Sequence, residues 1–198
     1  MNIDPMVVIL AALVLVGLLF FRDALSLSVS RPGRRFDLVH PWEKWLHPAK
    51  VVVIGVWLWI RGATDLDRPL FGGLPDRGVV TIAWAGVGLA LAGLAFMVWG
   101  RLTLGAQFAS RLALHENHIL VTTGPYQLTR HPLYTGALLV FWGVVLAGDS
   151  MAGLLTWGGF FTAMIYAHTV AEEDLLERRF GEIYRSYKRA VPRLVPFA

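Results

Sequence analysis

The sequence predicts an all-α membrane protein: a polytopic bundle of about five transmembrane helices that ends in a helical hairpin and an amphipathic tail. Of 198 residues, 56% are hydrophobic and only 16% are charged, and the mean hydropathy is +0.55. A soluble domain needs more polar surface than this. Residues 79–99 also form a run of 21 without a charge, enough to cross the roughly 30 Å of hydrocarbon in a bilayer.

Five segments are apolar enough to be predicted as spans, namely residues 5–21, 46–60, 79–99, 132–148 and 151–171. The first lacks the positive start and small-residue cleavage site of a signal peptide, so we interpret it as a span. The second is the least regular, because Lys50 and Arg61 bracket only ten apolar residues.

The distribution of basic residues favours five spans. With five spans and the N-terminus outside, 15 of the 18 Lys and Arg residues fall on the inner side. Without the second span the same residues divide 9 and 9, which is no bias. Because basic residues collect on the cytoplasmic side, we expect a multi-pass protein with its N-terminus outside and its C-terminus and active site in the cytoplasm.

The ends of the last helices carry clear signals. Residues 148–150 are too short a connection for anything but an antiparallel helical hairpin. Pro132 is suited to a first helical turn, and Gly181 is suited to the end of the amphipathic helix that begins at residue 172. Small residues on the third span predict close helix packing: Gly86, Ala90 and Gly93.

Two regions are expected. Residues 1–100 would hold the first three spans and an interfacial segment at 31–48 that contacts membrane lipids, and residues 101–198 would form a core of cytosolic loop, hairpin 132–171 and tail. The net charge of +4 does not indicate nucleic acid, because basic residues beside spans set orientation. The chain has no cysteine, and residues 115–118 read H-E-x-H rather than H-E-x-x-H, so no metal site is predicted.

Two polar clusters stand out against this apolar background. The first comprises residues 124–126 and 130–134, just before the fourth span, and taken alone it also fits a simple membrane-interface segment. The second places His168, Glu172 and Arg179 on one face of the last long helix. Ionisable residues in or at the end of a span normally pair or face a site, which favours a functional role.

In order and spacing, residues 118–196 resemble the isoprenylcysteine carboxyl methyltransferase family and its phospholipid methyltransferase relatives. The pieces that carry the resemblance are 120–126, 130–134, Glu172-Glu173, 180–187 and Val191-Pro192-Arg193. The resemblance implies an integral membrane methyltransferase whose S-adenosylmethionine site is built by the loop, the hairpin and the tail. Its acceptor would be a lipophilic small molecule or a lipidated group arriving from the bilayer.

The resemblance also implies roles for individual residues. The adenosine side of the cofactor would be lined by His118, Ile119, Leu120, Val121 and Tyr126. The methionine part would be held by His131, Pro132, Leu133 and Tyr134. The ammonium group would meet Glu172, with Glu173 as the other possibility, and Arg130 or His131 would serve the carboxylate. Arg130 and His168 are the expected catalytic residues; an amine acceptor would need a base, for which His168 or Glu173 is suited.

One position departs from the family pattern. Protein carboxyl methyltransferases have an arginine one helical turn before the glutamate, where this chain has His168. Histidine is not always charged and offers one donor per nitrogen, so it grips a carboxylate less firmly. Isoprenylcysteine-like carboxyl methylation is the first expectation; the alternatives are phospholipid or other lipid N- or O-methylation, an NADPH-dependent sterol reductase, and a non-catalytic membrane protein.

Overall fold

The structure is a computed structural model that describes residues 4–15, 35–37, 52–60, 62, 67–105, 113–115 and 119–195. The first half contains α1 (Pro5–Leu15), β1 (Arg35–Asp37), α2 (52–60), α3 (Asp76–Leu104) and β2 (Ala113–His115). The second half contains a 3-10 helix (Gly124–Gln127), α4 (Pro132–Gly148), α5 (Met151–Gly153), a π-helical segment (Leu154–Phe161), α6 (Thr162–Phe180) and α7 (Glu182–Ala190).

The described residues are mainly helical, in agreement with the predicted class. The exception is a short antiparallel pair, β1 with β2, in which Phe36 lies opposite Leu114. Two loop segments thereby satisfy each other's backbone hydrogen-bonding groups, a pairing that helical periodicity does not reveal. Of the predicted interfacial segment 31–48, only residues 35–37 belong to the described part of the chain.

One described helix, α3, is long and apolar enough to cross a membrane. It has 29 residues, about 43 Å of helix at 1.5 Å per residue. Helices α1 and α4 are apolar but shorter. Residues 16–21 and 46–51 of the first two predicted spans lie outside the described residues. A span at α3 therefore agrees with the prediction, and the five-span topology stays a prediction.

Helices α3 and α4 pack backbone to backbone through glycines. A Cβ added to Gly93 would lie 2.5 Å from the carbonyl oxygen of Gly136, and one added to Gly86 would lie 2.6 Å from that of Gly143. No side chain fits in such a contact, so glycine is required on both helices. The predicted small-residue ridge on α3 is confirmed, and α4 supplies the complementary pair.

The connection after α4 is a tight turn, as predicted for a helical hairpin. Asp149 adopts a left-handed conformation, with φ of 43°. The Ser150 hydroxyl donates to the Asp67 carboxylate at 2.7 Å and accepts from the Gly153 N–H at 2.8 Å. The segment before α3 is thereby tied to the start of α5, which fixes the end of the bundle opposite the loop 119–131.

Two helix boundaries position the polar clusters. Helix α4 begins at Pro132, as predicted, because proline lacks only an N–H that a first turn leaves unbonded anyway. Helix α6 ends at Phe180, and Gly181 follows with φ of 56° as the predicted cap. Since α6 is continuous from Thr162, it carries His168 and Glu172 on one rigid element.

Candidate active site

The centre of the polar region is the carboxylate of Glu173, a residue that is only 1% exposed. Arg193 binds it with two hydrogen bonds, Nε to Oε1 at 3.0 Å and Nη2 to Oε2 at 2.8 Å. His131 Nε2 donates to Oε1 at 3.2 Å, and Arg130 Nη2 lies 3.2 Å from the same oxygen. A buried carboxylate needs such partners, and these come from two separate parts of the chain, the loop before α4 and the tail.

The surroundings keep Glu173 ionised. Burial by itself raises the pKa of this carboxyl group, but the hydrogen bonds from His131 and Arg193 and the charge of Arg130 outweigh burial and lower the pKa to about 2. Glu173 is therefore a fixed negative charge at any physiological pH. A group so strongly bound is a poor general base, contrary to the role considered for it on the sequence alone.

Glu172 has quite different surroundings, although it is the adjacent residue. Its side chain is 32% exposed, and the ion-pair contact recorded for it is to His131, with Nδ1 3.7 Å from Oε2. His131 thus lies between the two carboxylates, one saturated and one open. An open carboxylate at this position can receive a cationic group.

Arg130 contributes unused donors. Its side chain is 9% exposed and touches Glu173 only through Nη2. Its Nε and Nη1 are buried and have no hydrogen-bond partner among the described residues. A buried guanidinium with two unused nitrogen donors is costly unless a ligand completes it, so this side chain fits an anionic group such as a carboxylate.

An aromatic side chain connects this cluster with His168. The Tyr134 ring lies 5.8 Å from the His131 ring, and it stacks on the His168 ring at 6.4 Å with an interplanar angle of 17°. Tyr134 comes from α4 and His168 from α6, one turn before Glu172. The site therefore runs along the α4–α6 boundary, with Glu172 at one end and His168 at the other.

The tail completes the site by pairing with the loop before α4. The backbone N–H groups of Arg130 and His131 donate to the carbonyl oxygens of Pro192 and Arg193, at 2.9 and 3.2 Å. The Thr129 hydroxyl donates to the Arg193 carbonyl at 2.7 Å. The backbone of the loop that presents Arg130 and His131 is thus held by residues 192–193.

Three tyrosines line the same region in their neutral form. Burial is the main cause that raises the pKa of Tyr126, Tyr184 and Tyr187 well above that of an exposed phenol. The Tyr187 hydroxyl donates to the Tyr126 carbonyl oxygen. The Tyr126 and Tyr184 hydroxyls are buried without a hydrogen-bond partner in the described part of the chain, so both remain available to a bound polar group.

The structure places the sequence-predicted residues unevenly. It brings together Arg130, His131, Tyr134, His168 and Glu172, with Tyr126 on the loop beside them. Pro132 and Leu133 lie instead against Gly100 of α3. Of the residues shortly before the 3-10 helix, Leu120 and Val121 are partly buried and Ile119 is 66% exposed. His118 lies outside the described residues.

Sequence reasoning missed Arg193 and Tyr184 as parts of the site, and it did not separate Glu173 from Glu172. The spacing of residues along α6 does distinguish Glu173 from Glu172. Ile165, Thr169 and Glu173 follow one another at four-residue spacing, and all three are buried on α6. That stripe marks the face that α6 turns toward the protein interior.

Comparison with known proteins agrees with the resemblance. The profile of the phospholipid methyltransferase family matches residues 81–183, a little over half of the chain. The chain belongs to this family. The match includes most of α3, the loop, α4 and α6, and it ends before the tail residue Arg193.

Individual relatives are methyltransferases with different acceptors. A methanethiol S-methyltransferase of Pseudomonas deceptionensis is 30% identical over 152 residues, covering 74% of this chain and 55% of that protein. Protein-S-isoprenylcysteine O-methyltransferase B of Arabidopsis thaliana is 35% identical over 103 residues, covering 48% and 50%. A methanethiol S-methyltransferase of a Pseudomonas species is 41% identical over 71 residues, covering 36% and 26%. The chain thus spans between about a quarter and a little over half of these relatives.

Proposed function

We propose that this chain is a membrane methyltransferase that uses S-adenosylmethionine and methylates a lipophilic acceptor. The supporting observation is that the charged side chains around His131 have different surroundings. Glu173 is saturated by cations, while the Glu172 carboxylate is open and Arg130 keeps two buried nitrogen donors, Nε and Nη1, without a hydrogen-bond partner among the described residues. An open anion and an open cation close together match the ammonium and carboxylate of an amino acid.

The residues present fit the donor. Glu172 would hold its ammonium group, Arg130 its carboxylate, and Tyr126, with its unpartnered buried hydroxyl, a polar group on its adenosine side. When bound, S-adenosylmethionine supplies an electrophilic methyl group on a sulfonium. The protein's part is to orient the acceptor and exclude water, because a displacement that neutralises charge is favoured in a dry pocket. His131 and Tyr134 would shape the wall between donor and acceptor.

His168 lies on the acceptor side in this proposal. It stacks on Tyr134 one helical turn away from Glu172, so it is removed from the group that would hold the ammonium. An isoprenylcysteine-like carboxylate remains the first acceptor, since it needs no base. A thiol is the second, because two of the methyltransferase relatives above act on methanethiol by name and a histidine could take the thiol proton.

We further propose that the site faces the cytoplasm in a multi-pass protein whose N-terminus is outside. The basic residues of the loop and tail support this orientation. It would place Arg130 and Glu172 where a water-soluble donor is available, and the α4–α6 boundary where a lipophilic acceptor can enter from the bilayer.

The first experiment is a binding test on purified protein. Wild-type chain should be stabilised against heating by S-adenosylhomocysteine, which retains both amino-acid charges of the donor, and not by NADPH. Stabilisation by NADPH alone would support a reductase, and no response to either would support a non-catalytic protein. Membrane lipid extract, an isoprenylcysteine analogue and methanethiol, each incubated with labelled S-adenosylmethionine and analysed by mass spectrometry, would then identify the acceptor.

The Glu172→Gln variant tests the central assignment. It should bind S-adenosylhomocysteine about 10- to 100-fold more weakly, because the ammonium loses a charged partner. Isothermal titration measures this change. Glu182→Gln is the matched control, since Glu182 pairs with Arg185 and Arg189 on the exposed face of α7. Wild-type affinity in Glu172→Gln would remove Glu172 from the site.

A further inference from the structure

The way in which Arg193 binds Glu173 limits how Arg130 can bind the same carboxylate. An in-plane carboxylate offers an arginine two parallel hydrogen bonds, and at Glu173 Arg193 takes both, with Nε and Nη2 at 3.0 and 2.8 Å. Arg130 is left with one contact at 3.2 Å through Nη2. Its Nε and Nη1 are consequently not used on Glu173.

Arg193 is held in this position from several directions. Its guanidinium lies over the Tyr166 ring, 5.2 Å from the centroid. Its carbonyl oxygen accepts from the His131 N–H and from the Thr129 hydroxyl. The next residue, Leu194, accepts from the Thr135 hydroxyl at 2.7 Å. The tail segment 192–194 is therefore bound both to the loop that carries Arg130 and to the first turn of α4.

Without Arg193, the Arg130 guanidinium would pair with Glu173 in preference to a bound ligand. Both oxygens of a buried, ionised Glu173 would need cations, and Arg130 is already in contact with one of them. Rotation of Arg130 into a two-bond pair would satisfy Glu173 and withdraw the free N–H groups. Lys188 could not prevent this, because its Nζ is 3.8 Å away and is bonded to Glu177.

We propose that Arg193 is a positioning residue: it occupies both oxygens of Glu173 and thereby keeps the Nε and Nη1 of Arg130 turned toward the carboxylate of the methyl donor. The proposal rests on the proposed function, and it makes the tail segment 192–194 a structural part of the donor site. Arg193 itself does not touch the donor.

The test compares two ligands and two substitutions. Arg193→Lys keeps the charge beside Glu173 but provides one point donor instead of a fork, so it should preserve the melting temperature better than Arg193→Ala. Both variants should bind S-adenosylhomocysteine about 10- to 100-fold more weakly than wild type. Both should bind 5′-methylthioadenosine, which lacks the amino-acid part, with wild-type affinity. Arg189→Ala on the neighbouring helix, which pairs with Glu182, is the control and should bind both ligands normally.

The outcomes separate the two proposals. If wild-type protein fails to bind S-adenosylhomocysteine, the proposed function is wrong. If wild type binds it and Arg193→Lys binds it equally well, the positioning role is wrong. Equal weakening of both ligands in Arg193→Lys would also overturn the positioning role, because general damage to the site affects adenosine binding too. Arg193→Lys decides the matter even if Arg193→Ala does not fold.

Discussion

Glu172 and Glu173 are adjacent on α6, yet their side chains differ in burial and in partners. Adjacent helical residues point about 100° apart, so only one of the two can face the interior. Glu173 shares the buried stripe of Ile165 and Thr169, whereas Glu172 turns toward the site and is partly exposed. The sequence identified the pair as important. Assigning the two roles required the orientation of α6, which depends on packing against α4.

The resemblance included Arg193 in the tail, but the contact of Arg193 with Glu173 could not be predicted, for a related reason. Arg193 is 20 residues from Glu173 along the chain, and the contact depends on how the tail turns after α7. Local periodicity carries no information about such a pairing. Arg130 and His131, in contrast, lie in a polar cluster that the sequence shows directly before a helix-starting proline, and the family resemblance then assigned them to the donor site.

His168 offers a residue-scale test of the acceptor side. The His168→Arg variant should shift product formation toward carboxylate acceptors, because arginine is always charged and can bind a carboxylate with two hydrogen bonds. Its affinity for S-adenosylhomocysteine should stay within about twofold of wild type, since we propose that His168 lies on the acceptor side. Competition between carboxylate and thiol acceptors, with products quantified by mass spectrometry, measures the shift.

His168→Gln is the control for this change, because it keeps a neutral hydrogen-bonding side chain. We expect no shift toward carboxylates in that variant. Loss of S-adenosylhomocysteine binding in His168→Arg and His168→Gln alike would place His168 on the donor side instead.

At the scale of elements, the sequence predicted boundaries better than internal geometry. The start of α4 at Pro132 and the end of α6 before Gly181 follow from local backbone chemistry. The π-helical segment Leu154–Phe161 does not. There Trp157 stacks on Phe161, with ring centroids 4.8 Å apart, and Phe141 of α4 packs against both rings. Such a widened turn is set by tertiary packing rather than by propensity.

The α3–α4 contact gives an element-scale prediction. Gly93→Ala should destabilise the protein by about 1 to 3 kcal/mol, because the new methyl group would lie 2.5 Å from the Gly136 carbonyl oxygen and force the helices apart. Thermal unfolding in detergent measures the effect as a lower melting temperature.

Gly88→Ala is the matched control on the same helix. A Cβ at Gly88 meets nothing within 4 Å, so this substitution should be neutral or stabilise the helix by up to about 1 kcal/mol. Equal melting temperatures for the two variants would contradict the close contact of α3 with α4.

At the scale of the whole molecule, the sequence and the described helices give different information about the number of membrane spans. Charge bias selects five spans from the distribution of Lys and Arg along the chain. The described helices establish a span-length element only at α3. The charge bias compares the numbers of Lys and Arg in the segments on the two sides of the membrane. The length of a helix contains no such information, so it cannot replace this comparison. The arrangement of α4 and α6 around the polar cluster is independent of the number of spans.

The absence of cysteine from the sequence allows a direct test of orientation. Gly73→Cys lies in the exposed segment before α3, and Ser186→Cys lies on exposed α7. With three predicted spans between them, a membrane-impermeant maleimide should label Gly73→Cys on intact cells and Ser186→Cys only after permeabilisation. Labelling of both from one side would mean an even number of crossings between these positions.

The glycine contacts between α3 and α4 also restrict how a substrate travels. Where two backbones approach closely enough to exclude a methyl group, a hydrocarbon chain cannot pass between them. That seam is sealed along two successive contacts, Gly93 with Gly136 and Gly86 with Gly143. Under the proposed function, a lipophilic acceptor would have to approach α4 from another side, and the boundary with α6, where the Tyr134 and His168 rings face each other, is the side that we propose. Among the described residues, the contact between α3 and α4 thus closes one side of α4 to such a molecule.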